Sequence, residues 1–236
     1  PKWKSKRISW IHLSMTGSSR PFVLEACVET IQQGLLAEKN HADRIEFCHR
    51  LDLGGVTPDH DLIRTAVNTI KIPVKIMIRP RGGNFIYSDS EVDIMKSDIK
   101  YCKSIGVEEV VLGALNNNGG VDDRLTQMLA NLAIPMKVTF HKAIDSVSNF
   151  MSSLKILSTM ENIDSVLTSG TKENALAGKE YIKLASEEFS GALNIIAAGS
   201  ITNTNLKEIH SELNMKEYHG KKIVGDLTLE EYNKRR

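Results

Sequence analysis

The chain has 236 residues, 41% of them hydrophobic and 25% charged, an ordinary balance for a globular protein long enough to bury a real core. Its formal net charge of +1 offers no field that would recruit nucleic acid or an anionic membrane, and no apolar run approaches the roughly 18–20 residues a membrane helix needs. Three cysteines, Cys27, Cys48 and Cys102, are too few and of the wrong parity for a disulfide framework, which points to a reducing compartment.

Residues 1–20 stand apart. Lys2, Lys4, Lys6, Arg7 and Arg20 occur there with no acidic residue. A disordered basic leader is expected; an organelle-targeting segment is the competing reading. Residues 21–236 read as one domain. From Phe22 onward a short apolar run, a turn signal and a helical stretch repeat in that order. The predicted strands are Phe22–Cys27, Arg44–Cys48, Val74–Arg79, Glu109–Leu115, Lys137–His141, Ser165–Ser169, Asn194–Ala198 and Glu217–Ile223. The last is the weakest, being short and polar. Of the helices between them, one is expected to open on Thr57-Pro58-Asp59, with Thr57 as N-cap and proline at the first helical position. Another opens on Ser88 and Glu91, a capping-box pair, and carries the stripe Val92, Met95, Ile99 and Cys102. Phe150, Leu154 and Leu157 mark a further stripe.

Strands alternating with helices imply parallel pairing through right-handed crossovers. An open doubly wound sheet buries both faces of its strands and fills both with apolar residues. Here Ile45 and Phe47 oppose Arg44, Glu46 and Cys48, and Ile76 and Ile78 oppose Lys75 and Arg79. One face meeting helices and another meeting a polar interior fits a closed barrel. The predicted class is therefore α/β, a (β/α)8 TIM barrel, with its site at the C-terminal strand ends.

The first two strands share Glu-x-Cys: Glu25 with Cys27, and Glu46 with Cys48. Period-two alternation puts each pair on one face, and neighbouring strands lie about 4.8 Å apart. Two thiols so placed suit a two-coordinate Cu(I) ion; the competing reading is a pair of small buried hydrophobes. Arg79 and Arg81, followed by Gly82 and Gly83, read as an anion-binding mouth; pairing of Arg79 with Glu25 or Glu46 inside the barrel is the other reading, and both can hold at once. His141 ends the fifth strand and is a candidate general acid/base, with Glu25 and Glu46 as candidate partners. Ser169 and Gly170 after the sixth strand, and Gly199 after the seventh, extend the anion-binding set.

Taken in order, these segments resemble the CutC family of copper homeostasis proteins over Phe22 to His219. The carriers are Leu24-Glu25-Ala26-Cys27-Val28-Glu29, Ala42-Asp43-Arg44-Ile45-Glu46-Phe47-Cys48, Gly54-Gly55-Val56-Thr57-Pro58, Ile78-Arg79-Pro80-Arg81-Gly82-Gly83 with Tyr87-Ser88-Asp89, Val138-Thr139-Phe140-His141-Lys142-Ala143-Ile144-Asp145, and Val166-Leu167-Thr168-Ser169-Gly170. The resemblance implies a cytoplasmic barrel, with nuclear presence left open, that binds copper through Cys27 and Cys48. Glu25, Glu46, Arg79 and His141 then fall on its polar mouth. The sequence departs from the pattern at Ala198-Gly199-Ser200 and after His219, where Gly220-Lys221-Lys222-Ile223 stands. Only Thr228–Arg236 is left for a last helix, so an incomplete eighth βα unit is expected.

Two functions compete. One is a Cu(I)-binding protein that buffers or traffics copper. The other is an enzyme acting on a small anionic metabolite, phosphorylated or carboxylated, with His141 as acid/base. A scaffold role explains the polar strand faces less well, because burying charge needs a reason. The expected partners are copper and such a metabolite, not nucleic acid or membrane; a homo-oligomer is left open.

Overall fold

The computed structural model describes residues 20–234. The predicted leader lies outside the described residues except for Arg20, whose guanidinium bonds Asp43 at 3.0 Å and the His41 carbonyl at 2.9 Å.

Eight parallel strands close into a barrel in sequence order: β1 (Val23–Val28), β2 (Arg44–Phe47), β3 (Val74–Met77), β4 (Glu109–Leu112), β5 (Lys137–Phe140), β6 (Ile163–Thr168), β7 (Asn194–Ala197) and β8 (Glu217–Gly220). Around it run α1 (Ile31–Lys39), α2 (His60–Thr69), α3 (Asp89–Ser104), α4 (Asp123–Ala133), α5 (Phe150–Ser158), α6 (Lys179–Glu188) and α7 (Leu206–Leu213); α8 (Leu229–Lys234) has only six residues. Among the described residues no helix is long and apolar enough to cross a membrane.

Local signals explain most helix starts. Ser88 and Glu91 form the predicted capping box of α3, and Val92, Met95, Ile99 and Cys102 are its buried stripe. The start predicted at Thr57 is displaced. Asp59 stands at the N-cap position of α2 without a side-chain capping bond, while the Thr57 hydroxyl accepts from the Arg79 amide at 2.8 Å and the Thr57 amide donates to the Arg79 carbonyl at 2.9 Å. A tertiary bond to the end of β3 thus takes the side chain that would have capped the helix.

The barrel wall sorts residues by parity. Ala26, Ile45, Phe47, Ile76, Val110 and Phe140 face the helices and join one apolar core. The inward face is different. Toward its N-terminal half the barrel is crossed by charge. Arg44 ion-pairs with both Glu25 and Glu217. Lys75, 1% exposed, reaches Glu25 at 3.1 Å, Glu109 at 2.7 Å and Thr139 at 2.9 Å. Above this layer sit the apolar inward residues Met77 and Val111 on one side and Leu167, Ile196 and Ala198 on the other.

The eighth unit is abbreviated, as expected. β8 pairs with β1 over four positions but with β7 only through Ala197 and Tyr218. Tyr218 anchors this seam: its ring is fully buried against Phe22, and its hydroxyl accepts from the Met215 amide at 2.8 Å.

A buried ion pair that loses one partner leaves a stranded charge. Lys75→Met should therefore destabilise the fold by about 3–5 kcal/mol in urea unfolding. Lys96→Met, which removes an exposed pair with Asp93, should cost under about 0.5 kcal/mol. Equal effects would contradict the assignment.

Candidate metal centre at the strand ends

Cys27 and Cys48 come together because β1 and β2 are adjacent and each thiol lies two residues beyond an inward glutamate. All three cysteines are free, and the Cys27 and Cys48 sulfurs stand 3.6 Å apart. Cys27 Sγ also lies 3.4 Å from Glu46 Oε1, and Cys48 Sγ lies 3.7 Å from the Val28 carbonyl. Cys27, Glu46 and Cys48 offer donor atoms that all fall within 4.8 Å of one another. Cys102 is buried on α3, away from this pair, as its apolar stripe predicts.

A second cluster shares Glu46. Glu25, Glu46 and His219 also present donors within 4.8 Å of one another. His219 Nδ1 meets Glu25 Oε1 at 2.8 Å, and its Nε2 lies 3.8 Å from Glu46. Sequence reasoning missed His219. It lies in the strand judged weakest, and its neighbours come into view only when β8 closes onto β1, where it faces Glu25 in register. The available signal was its spacing from Glu217, which puts both on the inward face.

The charges interlock. Burial opposes ionisation of Glu25, but Lys75, Arg44 and His219 outweigh it and hold its pKa well below the usual carboxylate range. Burial also opposes charge on His219, but Glu46, Cys27 and Glu25 outweigh it and raise its pKa well above the ordinary value, which favours the imidazolium form. Burial raises Glu46, whose Oε2 has no hydrogen-bond partner. The Cys27 thiol is pushed well up by its bond to Cys48 and by burial; His219 pulls the other way.

The other predicted residues divide. Arg79, His141, Ser169 and Gly199 line a cavity at the strand ends, together with Cys27, Glu46 and His219. Arg79 does not pair with Glu25 or Glu46, the alternative weighed for it. Arg44 and Lys75 hold Glu25, and Arg79 bonds the carbonyls of Leu53, Gly55 and Gly83 at 2.8–2.9 Å. Arg81 turns away to Glu91 and the Ile86 carbonyl. Gly170 packs against Gly178, where an added Cβ would meet the Gly178 carbonyl oxygen at 2.3 Å. Lys142 and Asp145, named in the sequence only within the segment ending the fifth strand, form a clamp on Ser169: Lys142 Nζ lies 2.7 Å from Asp145, and the Asp145 carboxylate accepts from Thr168, Ser169 and Thr171.

The geometry defines a class: a closed (β/α)8-barrel protein with a buried thiol pair, backed by carboxylates and a histidine, at the C-terminal strand ends. The chain belongs to the CutC family, whose family model matches residues 22–224. It is 38% identical to the copper homeostasis protein cutC homolog of Mus musculus over 214 residues, covering 91% of this chain and 78% of that protein. Its identity to the Homo sapiens homolog of the same name is 39% over 203 residues, covering 86% and 74%. The crystal structure of a CutC protein from Streptococcus agalactiae superposes with a TM-score of 0.80 at 30% identity, covering 86% of this chain and 99% of that one.

Only the thiolate reacts with alkylating agents, and a raised pKa keeps its fraction small at neutral pH. Alkylation of Cys27 by iodoacetamide, followed by peptide mass spectrometry, should therefore rise about tenfold per pH unit through pH 9. A plateau at or below about pH 8 would contradict the raised pKa.

Proposed function

We propose that this chain binds Cu(I) through the Cys27 and Cys48 thiolates and serves copper homeostasis in the cytosol, buffering the ion or passing it on. The observation that carries the reading is the 3.6 Å approach of two free thiols from adjacent strands. Soft thiolates favour Cu(I), whereas carboxylates favour harder ions. The names of the mouse and human relatives point the same way.

Glu46, whose Oε1 lies 3.4 Å from Cys27 Sγ, offers a third donor beside the two thiolates. Loading one Cu(I) while two thiols lose their protons adds a net negative charge, which the imidazolium of His219 is placed to offset. The Glu25–Glu46–His219 cluster is less suited to hold an ion, because Arg44 and Lys75 already engage Glu25.

Reduced protein titrated anaerobically against a chromogenic Cu(I) chelator should retain about one ion per chain. Cys27→Ser with Cys48→Ser should lose that ion, and Cys102→Ser should keep it. Replacing His219 by Phe should weaken retention by about 10–100-fold, the usual effect of removing a group that supports metal ligands. If the double variant binds as tightly as the parent, the thiol site is wrong.

A further inference from the structure

A single metal ion takes up little of the space at the strand ends. The cavity there has a volume of about 770 Å³, within the range that holds small organic ligands. Its walls include the apolar side chains of Phe85, Leu167, Ala198 and Ile201. Among the polar groups lining it, two residues, Arg79 and His141, each carry a buried side-chain nitrogen that makes no hydrogen bond.

The first is Arg79. Its side chain is buried, its Nη atoms are spent on three backbone carbonyls, and its Nε has no partner. Among the described residues no carboxylate ion-pairs with it. The Phe85 ring lies 4.8 Å from its guanidinium carbon, which offsets part of the cost of burying the charge. The turn at Gly54 closes on it so tightly that an added Cβ would stand 3.2 Å from Nη1. This is a cation held rigidly by neutral groups, the arrangement that awaits an anion from outside.

The second is His141. Its ring packs on Gly113, where an added Cβ would meet it at 2.6 Å, and lies 4.9 Å from the same Phe85 ring. Its Nδ1 accepts from the Ala143 amide at 3.2 Å, which places the proton on Nε2. Nε2 has no partner. Burial and the neighbouring Arg79 push its pKa down to about 3, so at neutral pH it is a donor rather than a proton acceptor. Lys142 adds a second positive charge to the wall, held there by Asp145 and Ser169.

We infer that this cavity binds a small organic oxyanion, a carboxylate or a phosphate monoester of metabolite size, with its charged end on Arg79 and His141 and its body against Phe85 and Leu167. The site does not depend on copper. It shares the cavity with Cys27 and Glu46, but its charged end is built from β3 and β5 rather than β1 and β2.

Calorimetric titration of the full chain with malonate, glycerol 3-phosphate and inorganic phosphate, with glycerol as the uncharged control, tests this. At least one oxyanion should bind with a Kd at or below about 1 mM, and glycerol should not. The tighter of the carboxylate and phosphate probes identifies the headgroup. His141→Asn keeps an acceptor for the Ala143 amide but removes Nε2, and should weaken binding at least about tenfold. It stays decisive if Arg79→Met proves too unstable to measure. The Cys27→Ser, Cys48→Ser double variant should bind the oxyanion as the parent does, which separates this site from the copper reading. Failure of all three oxyanions to bind the folded parent at about 10 mM would overturn the inference. So would oxyanion binding that is unchanged in His141→Asn.

Discussion

The Glu25 carboxylate, fully buried in the middle of the barrel, is the group on which the rest of the site depends. Unpaired, a carboxylate there would be neutralised or expelled. Here Arg44 comes from β2, Lys75 from β3 and His219 from β8, so one acid ties together strands on both sides of β1. Each partner has a further carboxylate: Glu217 for Arg44, Glu109 for Lys75 and Glu46 for His219. A core of this kind is not the cheapest way to stabilise a barrel, since apolar residues of similar volume often do as well or better. Its retention is better understood through what stands on top of it.

The ionic layer forms the floor of the thiol pair. Glu46 and His219 belong to both levels: they face Glu25 below and Cys27 above. The carboxylates beneath it favour the imidazolium form of His219. That cation would compensate the thiolates if a metal displaced their protons. The same layer fixes the directions of β1, β2 and β8, and therefore the sulfur separation. Arg79 and His141 lie outside this network, supported by backbone carbonyls, Phe85 and Gly113 instead. The mouth therefore has two chemically distinct halves, a soft and electron-rich one on β1 and β2 and a donor-rich one on β3 and β5.

Much of this was legible in the sequence, because strand parity is a strict rule. Ile45 and Phe47 against Arg44, Glu46 and Cys48 decided between a barrel and an open sheet, and Glu-x-Cys twice over placed both thiols inward. The α3 start was legible because Ser88 and Glu91 satisfy each other locally. Where long-range partners decide, local reading failed. Thr57 had the right neighbours for a cap but bonds the end of β3. Arg79 and Arg81, two residues apart, go to opposite fates because one is enclosed by the Gly54–Gly55 turn and the other meets Glu91. His219 lies 194 residues from its partner Glu25, and only closure of the barrel joins them.

The central claim is that two thiolates from adjacent strands form the metal centre. Copper K-edge X-ray absorption of the reduced, Cu(I)-loaded protein tests it most directly, because it counts sulfur neighbours without altering a residue. The account predicts a coordination shell dominated by two sulfurs, those of Cys27 and Cys48, with a lighter oxygen or nitrogen scatterer beside them. A shell made only of oxygen and nitrogen would contradict it, and would move the ion down to Glu25, Glu46 and His219.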